Sequence, residues 1–174
     1  MLMKSILTSW SRPGLIVLAA LIAGTAFSAP FFLHKSKTLE GKVLRTPNTH
    51  DMAQHLAVME QFDTVLKTGV LYPRWLPDVN NGYGLPWTNF YPPGFYYLTS
   101  LINSALNNSM NTLFVVSVLG LAASGLALYG LSRQMYGRLA SAVAAVVYVA
   151  APYHILDLYW RGAMPEFAGF VLLP

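Results

Sequence analysis

The 174-residue chain has no cysteine. That excludes a disulfide framework, a thiolate metal site and a cysteine nucleophile, and it leaves the compartment open. Charge is scarce too. Only 10% of residues are charged, against about 25% in soluble domains. The chain is 55% hydrophobic with a mean hydropathy of +0.45. This is the composition of an integral membrane protein. The net charge of +4 and pI near 9.4 do not point to nucleic acid, because no Lys/Arg run forms a stripe that would track phosphates.

What the chain does have is long apolar runs. Residues 1–12 form a short basic N-terminus with Lys4 and Arg12, followed by a first span over 13–33 that opens on Pro13-Gly14. A signal peptide is the competing reading, with Ala26-Phe27-Ser28 as its cleavage site. The second span covers 111–131, where Gly120, Ser124 and Gly125 would let a neighbouring helix approach closely. A basic loop, 132–138, carries Arg133 and Arg138, and a third span covers 139–156. After a short connection, 157–163, residues 164–174 start a fourth span and stop short of the roughly 20 apolar residues that a crossing needs. The expectation is therefore an N-terminal part of a longer protein, inactive by itself.

Short loops rich in Lys and Arg stay in the cytoplasm. Lys4, Arg12, Arg133 and Arg138 thus put the N-terminus and the 132–138 loop inside. The loop 34–110 and the connection 157–163 then share the outer side. The fold class expected is an all-α membrane protein, with multiple transmembrane helices and a large extracytoplasmic first loop carrying interfacial helices.

The 59 residues from His34 to Pro92 are dense in aromatics, prolines and isolated ionisable groups. Connections of that length are usually functional. Met52, Leu56, Met59, Phe62 or Asp63, and Leu66 recur at helical spacing, with Thr49 as N-cap and Gly69 as stop. This predicts an amphipathic helix on or near the membrane surface, with Asp51 and His55 on one face. The aromatics from Tyr72 to Tyr97 suit either the membrane–water boundary or stacking on sugar rings. Phe95 to Leu106 is apolar yet short, and reads as an interfacial or re-entrant helix.

The order of these features carries a resemblance. His50-Asp51 with His55, Gly69-Val70-Leu71-Tyr72-Pro73-Arg74-Trp75, Gly82-Tyr83-Gly84-Leu85-Pro86, Phe90-Tyr91-Pro92-Pro93, and Pro152-Tyr153 through Asp157 and Arg161-Gly162 to Glu166 follow one another in this chain. The arrangement after Thr46 resembles the N-terminal part of polytopic, lipid-linked glycosyltransferases of the GT-C fold. It looks most like the bacterial membrane proteins known as 6-pyruvoyl-tetrahydropterin synthase-related. The resemblance implies a multi-pass protein of the bacterial cytoplasmic membrane that transfers a sugar from a polyprenyl-phosphate donor, with inversion, to an extracytoplasmic glycan, lipid or protein acceptor. It implies Asp51 as base or metal ligand. Many relatives have paired acids where this chain has His50-Asp51.

Inverting transfer needs a base for the acceptor proton and positive groups for the departing phosphate. Asp51, in a first helical turn, is kept ionised by the helix dipole and suits a base or a metal ligand; the same dipole also explains an acid that only completes the helix end. His55 would orient an acceptor or share a metal with Asp51, or simply lie on the polar face; His50 and His34 are weaker candidates. Arg74 beside Trp75 would clamp a phosphate or anchor the loop to headgroups. Asp157 and Arg161, four apart, would pair with each other or serve as second acid and phosphate contact. Glu166 after Pro165 reads as a helix start. Asp51 and Asp157 leave room for a divalent metal, and no further His or acid is spaced to complete its site. Gly82-Tyr83-Gly84 is a turn and has no strand–helix unit around it to bind a nucleotide. A non-enzymatic transporter or flippase of lipid-linked glycans is the alternative reading, and a membrane assembly factor docking through its aromatic loop is a third.

Overall fold

The computed structural model describes residues 49–174 throughout and the helix Leu2–Leu33, with side chains from Leu15 onward. It also describes the backbone of two short paired strands, β1 (Ser36–Lys37) and β2 (Val43–Leu44). Residues 34–35, 38–42 and 45–48, His34 among them, lie outside the described residues.

Helix α1 spans Leu2–Leu33. It starts earlier than the Pro13 expected from the sequence, because one missing N–H inside a long apolar helix removes a single backbone bond and need not end it. Helix α2 (Met52–Lys67) follows, then a loop with a 3₁₀ turn at Trp87–Asn89, then α3 (Gly94–Leu106) and α4 (Ser109–Ser132). The third apolar stretch is broken. Helix α5 (Arg138–Val149) stops at Ala150, Pro152 opens α6 (Pro152–Leu156), and a π-helical turn (Asp157–Arg161) leads into the short α7 (Met164–Gly169). Asp157 and Arg161 therefore stand on a helical turn, where the sequence suggested a loop from 157 to 163.

Among the described residues, Leu15–Leu33, Ser109–Ser132 and Arg138–Arg161 are long and apolar enough to cross a bilayer. The protein is an all-α membrane protein. Helix α3 has 13 residues, about 20 Å of rise against a hydrocarbon core of about 30 Å, so it does not cross. It ends at Asn107 in the left-handed region, and Asn108 restarts the chain by accepting a hydrogen bond from the Asn111 N–H (2.8 Å).

Small residues set the helix packing. A Cβ on Gly24 of α1 would lie 2.6 Å from the Val118 carbonyl oxygen of α4. Gly125 of α4 leaves room for Val149 of α5, and Gly120 for the ring of Phe167 in α7. Glycine at such crossings lets backbones approach closely. The core joins Val58 and Phe62 of α2, Tyr96 of α3, Leu113 and Leu121 of α4, and Phe167 of α7. A polar network ties α2 to α3 and α4. The Asp63 carboxylate accepts from Lys67 (2.7 Å), Ser100 and Asn103 (3.2 Å), and Asn103 Oδ1 accepts from Thr112 (3.1 Å).

Candidate functional site

Two segments far apart in sequence meet at one end of the bundle. The His50 N–H donates to the Trp160 carbonyl (3.2 Å), and the Asp51 N–H to the Arg161 carbonyl (2.8 Å). Gly162 makes the approach feasible. It sits at φ +68°, and a Cβ there would lie 2.1 Å from Thr49 Oγ1 and 3.0 Å from the Met52 nitrogen. The start of α2 is thereby locked onto the π-helical turn. Such turns are frequent at functional sites.

Asp51 does not cap its helix with its side chain. Thr49 does that work, its hydroxyl accepting from the Met52 N–H (3.3 Å). The Asp51 carboxylate, half-buried at the mouth of the cluster, has no hydrogen-bond donor among the described residues.

On the facing turn Asp157 is fully buried. Its Oδ1 accepts from Arg161 Nη1 (2.7 Å), and its Oδ2 has no partner among the described residues. Arg161 also binds the Tyr153 hydroxyl through Nη1 (2.8 Å) and Glu166 Oε2 through Nη2 (2.7 Å), while the Tyr153 hydroxyl donates to Glu166 Oε1 (2.8 Å). Glu166, expected from sequence only to start a helix, is thus an arm of the cluster. Two carboxylates, of Asp157 and Glu166, bind one guanidinium, and Asp51 is joined to the same turn through its backbone N–H. Such a group is poor at holding an anion and good at accepting protons or hydroxyl hydrogens.

An aromatic wall rises on the other side. Trp87 and Tyr91 stack at 4.9 Å between ring centroids, and the His55 ring meets both edge-on at 6.0 and 5.7 Å. His55 is 3% exposed, which corrects the polar-face expectation. The helix turns it inward, where Tyr96 supplies the polar partner that a buried imidazole needs. The Trp87 indole N–H donates to the Tyr96 hydroxyl oxygen (2.8 Å), and that hydroxyl lies 2.9 Å from His55 Nδ1. An indole can only donate, so the arrangement that satisfies every group has Tyr96 donating to Nδ1 and the His55 proton on Nε2. Burial lowers the pKa of His55, opposed in part by the Asp51 charge, and the ring stays neutral. Burial also raises the pKa of Tyr91, with Glu166 and Asp51 adding to the rise, which puts this phenol within the field of the acids. Burial raises that of Tyr96 as well.

Arg74 and Trp75 stand apart. Both are exposed. The Arg74 guanidinium lies 5.3 Å from the centre of the Tyr72 ring, and Trp75 lies against Gly84. No contact joins either to the acidic cluster among the described residues. Their loop is fixed by paired hydrogen bonds between Leu76 and Leu85 (both 3.0 Å) and by positive φ at Asn80, Asn81, Gly82 and Gly84, the turn role expected of this glycine-rich stretch. Outside the cluster, Trp160 is 63% exposed and meets the His50 ring edge-on at 5.7 Å.

No three His, Asp or Glu side chains come together to hold a metal ion among the described residues. Sequence reasoning missed Tyr91, Tyr96, Trp87 and Tyr153 as parts of the site, treating the first three as generic boundary aromatics. The clustering of Trp87, Tyr91 and Tyr96 in one short stretch was the available signal, and only the fold brings that stretch onto His55.

Comparison with known proteins bears on the second half of the chain. Residues 88–174 match the family model of the 6-pyruvoyl-tetrahydropterin synthase related domain, described as a membrane protein. No curated protein and no solved structure matches the chain.

Proposed function

Because the chain belongs to the 6-pyruvoyl-tetrahydropterin synthase related family of membrane proteins, we propose that it is the membrane-embedded catalytic portion of a lipid-linked glycosyltransferase of GT-C type. In this reading it sits in the bacterial cytoplasmic membrane with the N-terminus and the α4–α5 turn inside. The acidic cluster then faces outward, where a polyprenyl-phosphate sugar meets a glycan, lipid or protein acceptor.

The observation that carries the proposal is the state of Asp51. Its backbone is clamped to Arg161, yet its carboxylate is committed neither to the helix end nor to an ion pair among the described residues. That is what a base requires: a fixed position and an oxygen with no donor on it among the described residues. In the proposed step the acceptor O–H gives its proton to Asp51, and its oxygen forms a bond to the sugar's anomeric carbon. The bond from that carbon to the phosphate oxygen breaks, and polyprenyl phosphate leaves with the electron pair. One displacement inverts the centre. Asp157 holds Arg161 in place through Oδ1, and the neutral His55 orients the acceptor. Arg161 acts as a positioning residue, because its Nη atoms are taken by Asp157, Tyr153 and Glu166. Arg74 and Trp75, which have no contact with the cluster among the described residues, take no part in this step.

The test is single-turnover transfer in proteoliposomes, with a radiolabelled polyprenyl-phosphate sugar presented to the full-length protein, wild type and Asp51→Asn. Loss of a general base costs about 10²–10⁴-fold, with donor binding unchanged. Transfer at the wild-type rate removes Asp51 from the mechanism. Movement of the labelled lipid across the bilayer without any transfer would replace the enzyme with a flippase.

A further inference from the structure

Away from the acidic cluster, a groove of about 520 Å³ runs between α1, α4 and α5. Its walls are hydrocarbon, with Ala20 and Phe27 from α1, Leu126 from α4, and Ala142 and Val146 from α5. Only one end is polar. There, beside the turn from α4 to α5, Tyr129 and Arg138 reach the rim. A second cation, Arg133, is held on the same turn by its hydrogen bond to the Tyr136 carbonyl (2.6 Å).

The shape limits the occupant. The groove follows α1 from Ile16 to Phe27, about 17 Å at 1.5 Å per residue, which gives a mean cross-section of about 30 Å². One extended hydrocarbon chain fits that width.

We infer that this groove binds one acyl chain of an anionic phospholipid, with the headgroup phosphate at the Arg138 guanidinium. The arginine fork matches phosphate oxygens. Helix α5 begins at Arg138 with no side-chain cap, so its first N–H groups are available to the same oxygens. Two arginines on one turn disfavour a headgroup that carries its own cation, which selects anionic over zwitterionic lipid. This site is independent of the glycosyl-transfer proposal.

Native mass spectrometry of the detergent-purified protein tests it, using phosphatidylglycerol and phosphatidylcholine with identical acyl chains, and inorganic phosphate alone as a separate arm. Wild type should retain one phosphatidylglycerol at least tenfold more tightly than phosphatidylcholine. Millimolar phosphate should not displace it. Arg138→Gln should erase the preference, and Ala142→Phe, which fills the groove, should weaken phosphatidylglycerol at least tenfold with helicity unchanged. Equal retention of the two lipids overturns the inference, as does a preference that survives Arg138→Gln. Lipid-free dimers dispersed by Ala142→Phe would assign the groove to a second copy of the chain and overturn it too. If Ala142→Phe does not fold, the exposed Arg138 variant decides alone.

Discussion

Replacing Gly162 with alanine tests the join on which the site depends. The left-handed backbone at φ +68° costs a non-glycine residue about 1–2 kcal/mol. The new methyl would also sit 2.1 Å from Thr49 Oγ1 and 3.0 Å from the Met52 nitrogen. Thr49 can move only by releasing its bond from the Met52 N–H, a cap worth about 1 kcal/mol. Met52 can move only by stretching the bonds from His50 and Asp51 to the 160–161 carbonyls, each worth about 0.5–1.5 kcal/mol. Together these give a local loss of about 4 kcal/mol. The assay is amide hydrogen exchange read by mass spectrometry in detergent. Protection at His50 and Asp51 should fall at least ~100-fold, since each 1.4 kcal/mol is a factor of ten. With Thr49→Gly already in place, the cap can no longer be lost, and Gly162→Ala should cost about 1 kcal/mol less than it does in wild type. If Gly162→Ala leaves Asp51 as protected as in wild type, the two segments are not joined and the site as described does not exist.

Other outcomes follow from the same geometry. Asp51→Asn should change stability by less than about 0.5 kcal/mol, because its carboxylate makes no cap bond; Thr49→Ala should cost about 1 kcal/mol, and a denaturation series in mixed micelles compares the two. Asp63 is buried, which by itself raises its pKa, but hydrogen bonds from Lys67, Ser100 and Asn103 outweigh that and lower it. Its contribution to stability is therefore present above the unfolded carboxylate pKa of about 3.9 and is lost as pH falls through the lower folded value. Asp63→Asn should remove that acid limb, and an unchanged limb in a pH–stability profile would assign it elsewhere. Single cysteines at the exposed Asn81 and Met135, introduced into this cysteine-free chain, report sidedness; an impermeant thiol reagent on intact cells should label the first alone, and labelling of the second alone would invert the proposed orientation. Tyr96→Phe removes the hydroxyl beside His55 Nδ1, and ¹⁵N spectra should then show the imidazole leaving its single Nε2–H tautomer.

Composition by itself determined that this is a helical membrane protein. Apolar runs with few charges have no other stable home, and helices satisfy their own backbone groups there. Local chemistry in the sequence also gave the Thr49 cap, the stop at Gly69, the turn at Gly82–Gly84 and the close-packing glycines of α4, because each depends on neighbours within a turn or two. The sequence marked Asp51 by itself, and Asp157 with Arg161 as a pair four apart. What it did not contain was their meeting, because hydrophobic periodicity says which face of a helix is apolar and not what that face will touch. Tertiary packing brought α2 onto the π-helical turn through Gly162, turned His55 inward to Tyr96, and drew Glu166 across to Arg161. The first two join residues separated by whole helices, and such contacts are decided only when the helices between them have packed; the third depends on the chain reversal at Gly162, which returns Glu166 to Arg161.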